Sequence, residues 1–186
     1  MRKQANPNSD AGFTLIELLT VILLAGILAL IAAPGWLTFT NNRRADAARD
    51  QILQLLRQAQ TKATQTHQTQ VVNFITPTNE PPIVEISGVS QRIDAQTTGT
   101  GGFNPNMFRL DISANTRTGC SANAKGCVVF DDRGNIVADD NSLGNGFVIA
   151  ISSPASTTST SNRRCVIVTS LLGAMRNGSG DQCPLQ

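Results

Sequence analysis

Phe13 to Ala33, FTLIELLTVILLAGILALIAA, is a run of 21 residues with one charge, Glu17, near its start. A carboxylate at the centre of a membrane helix costs roughly 2.5–3.5 kcal/mol; nearer the end it costs less, but it still asks for a partner. Cleavage between Gly12 and Phe13 would free an α-amino group four residues before Glu17, on the same face of a helix. Shared between neighbouring chains, that amine and carboxylate would fix the axial register of an assembly. The chemistry indicated is a proteolytic cut followed by charge pairing.

The other reactive side chains are few. Four cysteines, Cys120, Cys127, Cys165 and Cys183, all lie in the polar part of the chain. An even count in an exported domain reads as two disulfides. Three pairings are open; their order favours Cys120–Cys127 and Cys165–Cys183, each closing a short loop. Zinc would call for tighter C-x-x-C pairs or histidines, and the single histidine, His67, stands at the end of a polar helical pattern. A nucleophilic triad would have to use that same histidine, so no catalytic residues are assigned and no cofactor or metal is expected. Asp131, Asp132, Asp139, Asp140 and Asn141 crowd one hairpin and its exit without EF-hand spacing, as turn residues commonly do.

These groups need a frame. With 186 residues, a net charge of +2 and pI near 8.5, the chain has room for one domain and an appendage, and no bulk charge that marks a nucleic-acid binder. Seven Phe, one Trp and no Tyr leave a core to be built from Ile, Val, Leu and Ala. At ~1.5 Å per residue the Phe13–Ala33 helix is about 31 Å long, which matches a bilayer core. Arg2 and Lys3 before it should stay cytoplasmic, sending the C-terminal bulk outward. A signal peptide fits less well, since the run exceeds ~7–15 residues and Pro34 would follow the cut.

Pro34 and Gly35 should kink the helix rather than end it. Beyond them Ala45, Ala48, Ile52, Leu55, Leu56, Ala59 and Ala63 recur at steps of three and four, an amphipathic pattern to about Thr69. Strands are predicted over 70–75, 82–87, 107–113, 126–130, 134–138, 146–152 and 164–170, with a hairpin turning at Asp131 to Asn135. A helix followed by antiparallel strands is an α+β head.

GFTLIELL resembles the cleavage and methylation motif of type IV pilins and type II secretion pseudopilins. The resemblance implies that a prepilin peptidase cuts after Gly12, that the new terminal Phe13 is N-methylated, and that Glu17 guides subunits into the filament. Pro34 stands where that family usually has a kinking proline. VVFDDRGNIV, RRCVIVTSLLGAMRNG and Cys183 more loosely resemble the GspH/FimT subfamily, pseudopilin H and the minor pilin FimT, over roughly residues 40–183. The implied organisation is a leader (1–12), a transmembrane and assembly helix (13–33), an amphipathic helix continuing into the head (34–70), and a β-rich periplasmic or extracellular head with a disulfide-held C-terminal tail (71–186).

The implied product is a non-enzymatic minor pilin or pseudopilin. It would cross the inner membrane once, with its head in the periplasm, and then enter a type IV pilus or secretion pseudopilus. Its partners would be other pilins, the prepilin peptidase and the inner-membrane assembly platform. The alternative from a different class is a FimT-like subunit that binds DNA during uptake. FimT-like tails carry Gly-Arg-x-Arg; Gly173 to Arg176 read GAMR here, so only the second arginine is kept. Arg163, Arg164 and Arg176, drawn together by a Cys165–Cys183 bridge, would form a patch good for modest, salt-sensitive phosphate binding.

Overall fold

The computed structural model describes residues 12–77, 80–93, 108–112, 120–137, 147–153 and 160–183. The leader before Gly12, and Asp139, Asp140 and Asn141, lie outside them. The chain divides into two compact units, Met1–Phe39 and Thr40–Gln186. Helix α1, Leu15–Thr66, contributes to both.

In the first unit α1 is apolar and exposed on every side. Leu15, Leu18, Val21, Leu24, Leu28 and Ile31 are all among its exposed large side chains. The helical assignment is unbroken through Pro34 and Gly35, so the proline does not end the helix. Among the described residues no helix is long and apolar enough to cross a membrane. The unbroken run of described side chains, Leu15–Ile31, amounts to about 26 Å of helix against a ~30 Å hydrocarbon core.

In the second unit the helix buries one stripe. Ala45, Ala48, Ile52, Leu56, Ala59 and Ala63 are fully buried and Leu55 nearly so, while Gln54, Arg57, Gln58, Thr61 and Lys62 stay exposed. The helix then stops at His67, whose φ of 52° is left-handed, and the Gln68 amide donates back to the Ala63 carbonyl. That six-to-one bond is a Schellman ending with histidine in the position glycine usually holds.

Among the described residues eight strands follow, in two antiparallel sheets, the α+β head expected. The first has the order β3-β2-β1-β5, made of β1 (Gln70–Ile75), β2 (Ile83–Ile86), β3 (Val89–Arg92) and β5 (Gly126–Phe130). The second has the order β4-β6-β7-β8, made of β4 (Arg109–Ile112), β6 (Phe147–Ser152), β7 (Arg163–Val168) and β8 (Met175–Ser179). Their inner faces meet the helix stripe in one core, with Val72, Phe74, Val84, Val128 and Phe130 from the first sheet and Leu110, Phe147, Ile149, Ile151, Val166 and Val168 from the second.

Three strand expectations change. Of the strand expected over 134–138, the described residues 134–137 form none; Ile136 makes one bridge to Phe130, and its amide donates to the Leu171 carbonyl, tying the turn after β5 to the turn after β7. β3 (VSQR) and β8 (MRNGS) were not foreseen, because both are edge strands with little apolar alternation. β3 is made by a two-residue turn, Ser87 and Gly88, both at positive φ, the backbone of a type I′ hairpin.

Relieving the left-handed strain at the helix end is a direct check. His67→Gly should stabilise the head slightly, by up to ~1 kcal/mol, in thermal unfolding of the detergent-solubilised chain. A loss of stability would mean that His67 holds a contact beyond ending the helix.

Candidate functional site

The N-terminal segment is the first place to look. Thr14 caps α1: its Oγ1 accepts the Glu17 amide at 3.3 Å, and its carbonyl accepts the Leu18 amide at 3.1 Å. Thr-Leu-Ile-Glu therefore forms the threonine half of a capping box, with Glu17 three residues into the helix. A carboxylate in the first turn is favoured by the helix dipole, which accounts for part of Glu17's presence in an apolar run. It does not satisfy the charge, because among the described residues no cation pairs with the Glu17 carboxylate. Among the described residues nothing stands where a Gly12 side chain would, and Phe13 is 83% exposed, so they leave the Gly12–Phe13 bond uncovered.

The cysteines pair as Cys120–Cys127 and Cys165–Cys183, with Cα atoms 5.6 and 5.8 Å apart. The second bridge lays the C-terminal tail on the outer face of the β4-β6-β7-β8 sheet, where Cys165 and Cys183 pack with Val148, Ala150 and Ile167. This is why every residue of β6 is buried, inside and outside alike.

The three arginines do not form one patch. Side chains alternate along β7, and Arg164 shares the helix-facing side with Val166 and Val168. Its Nε sits 2.9 Å from Asp46 Oδ1 on α1, in a network where Arg49 bridges Asp46 and Asp50. Arg163 lies on the opposite face with Cys165 and Ile167, where its Nη1 donates to the Cys183 carbonyl at 3.4 Å. Arg176 is paired across the sheet with Ile167 and is exposed on that outer face. Four residues of strand put Arg163 and Arg176 about 13 Å apart. The expectation of a single three-cation patch is thus corrected: a half-buried ion pair with the helix claims one member.

Asp131 is a turn residue. Its Oδ1 accepts the Arg133 and Asn135 amides at 2.9 and 2.7 Å, and its Oδ2 accepts the Asn135 side-chain amide at 3.1 Å. Desolvation pushes its pKa up, but the hydrogen bonds from Asn135 and Arg133 outweigh it, and the carboxyl ends below its ordinary value. The left-handed Gly134 that completes the turn supplied no sequence signal for a further contact, the reach of Gln60 to its carbonyl at 2.9 Å.

Against known proteins, residues 7–33 match the family model described as the prokaryotic N-terminal methylation motif. With that motif on a long N-terminal helix, and an antiparallel β head after it, the chain is similar to type IV pilins with a prepilin-type N-terminus. Among solved structures it is similar to the type IV minor pilin FimU of Pseudomonas aeruginosa, at 11% identity and a TM-score of 0.49, over 78% of this chain and 96% of that one. No curated protein sequence matches it.

The depressed Asp131 pKa sets a pH window. The charge stabilises the fold above the unfolded value near 4, and that contribution is lost as pH falls through the lower folded value. Asp131→Asn should therefore lower the unfolding midpoint by roughly 2–4 °C at pH 7, with the gap to the parent closing below about pH 4. Thermal melts of both chains across pH 2–7 check this; a gap independent of pH would remove the charge from the account.

Proposed function

We propose that this chain is a minor pilin or pseudopilin, a structural subunit that primes or caps a type IV pilus or a type II secretion-type pseudopilus. A prepilin peptidase cuts after Gly12 and methylates Phe13. Residues 13–33 then hold the subunit in the inner membrane as a single pass, head in the periplasm, until the assembly platform moves it into a filament beside other pilins.

The observation that carries this reading is Glu17: a charged side chain in the first turn of an apolar, all-round exposed helix, with no cation beside it among the described residues. A helix of that kind has to be covered by lipid or by other helices. A carboxylate in it calls for a cation, which a newly freed α-amine on this or a neighbouring chain supplies. The matched methylation motif over residues 7–33 supports the same cut. The DNA-uptake alternative would be served by Arg163, Arg164 and Arg176 on one surface, and the two faces of β7 separate Arg164 from the other two.

The experiment is incorporation. In the native host, Glu17→Ala and Glu17→Gln should still be processed and membrane-bound, yet fall by about ten-fold or more in the sheared filament fraction, the scale of a lost charge pair. The double variant Arg163→Ala, Arg176→Ala should incorporate as the parent does. Unchanged incorporation of both Glu17 variants would contradict the assembly role.

A further inference from the structure

The chain has a single tryptophan, Trp36, and no tyrosine. In a protein so short of aromatics the core would be expected to claim it. Instead Trp36 is 68% exposed, with Phe39, 51% exposed, one turn on; their rings tilt at 41° with centroids 6.2 Å apart. The pair stands just beyond the exposed apolar run of α1, in the same unit of the chain.

The spacing is informative. Trp36 follows Glu17 by 19 residues of helix, about 28 Å at 1.5 Å per residue. The hydrocarbon core of a bilayer is ~30 Å thick. A helix spanning with Trp36 at one boundary therefore places Glu17 at the other. An indole is suited to that boundary, since it joins an apolar ring to a polar Nε1–H. A carboxylate at the opposite boundary keeps its hydration and escapes most of the cost of a central charge. Between them the only non-aliphatic side chain described is Thr20, whose Oγ1 donates to the Glu17 carbonyl at 2.9 Å and so enters the apolar layer already paired.

We propose that Trp36, backed by Phe39, is a lipid-interface anchor on the head side of the membrane, and that it sets the depth of α1 so that Glu17 lies at the opposite interface. This rests on the membrane-spanning reading above and adds the depth at which the subunit is stored. It assigns Glu17 a position from which a neighbouring subunit's α-amine can meet it in hydrated surroundings.

A sole tryptophan makes the test unambiguous. The full chain is reconstituted in phosphatidylcholine vesicles, shown to co-float with them, and its emission is recorded with lipids brominated at shallow or deep acyl positions. The expected result is blue-shifted emission, quenched at least about two-fold more by the shallow bromines than by the deep ones. A chain that fails to float overturns the spanning reading and the anchor with it. Floating protein with solvent-like, acrylamide-quenched emission overturns the anchor alone. So does stronger quenching by the deep bromines, or emission shielded from both lipid and acrylamide, the sign of a helix packed on another copy. The depth of Glu17 is read separately. All four natural cysteines are in disulfides, so Glu17→Cys provides a unique thiol for a membrane-impermeant maleimide added on the N-terminal side. Adding Trp36→Ala should slow its labelling several-fold, and an unchanged rate would mean that Trp36 does not set that depth.

Discussion

The head depends on one stripe of helix α1 that has to close two sheets at once, and the sizes of its side chains follow from that demand. Ala45, Ala48, Ala59 and Ala63 are fully buried, so the backbone can lie close, while Ile52, Leu55 and Leu56 fill the space between the sheets' inner faces. In a core packed at crystal density a larger side chain at any of those alanines would have nowhere to go. The same helix keys the turns. Gln60 donates to the carbonyls of Gly134 and Leu172, one from each sheet's connecting turn. Both turns use a left-handed glycine there: a Cβ at Gly134 would run into the Thr64 side chain and crowd Gln60, and one at Gly173 would run into Gln60. With the inner faces closed by the helix, the outer face of the second sheet still needs a cover, and the Cys165–Cys183 bridge supplies it by holding the tail on β6 and β7.

The two units of α1 answer opposite physical problems with the same backbone. From Thr40 onward the helix is amphipathic and its apolar stripe is satisfied within the chain. From Leu15 to Ile31 the large apolar side chains are exposed on all sides, and Trp36 and Phe39 are exposed beyond them. The head buries its apolar stripe within the chain, whereas the exposed apolar helix is a surface that lipid or other helices would have to cover. Glu17 is the one charged side chain on that surface between Leu15 and Ile31.

Much of this was legible in the residues, and what was missed has a common cause. The buried stripe of α1 could be read because helical periodicity survives any tertiary context that keeps one face inside. Strands β1, β5, β6 and β7, wherever they stand in their sheets, are apolar runs and announce themselves. β3 and β8 pair at sheet edges through backbone groups, with side chains as polar as those of a loop, so the signal that locates them is the neighbour they bond to. The same holds for residues 134–137, which look like a strand but whose amide at Ile136 is taken by Leu171, a partner 35 positions away. The arginines failed for a related reason: Arg163 and Arg164 are adjacent in sequence and therefore on opposite faces of a strand, and no one-dimensional pattern showed that Asp46 was waiting for Arg164.

The central claim is that the chain is cut at Gly12 to make Phe13 the start of a filament helix. Mass spectrometry of the N-terminal peptide of the native membrane protein tests this most directly. The account predicts a chain beginning at Phe13 and heavier by one methyl group. A chain still beginning at Met1 would leave Glu17 as an unpaired charge in a plain anchor, and one beginning at Pro34 would make residues 13–33 a discarded signal; either would contradict it.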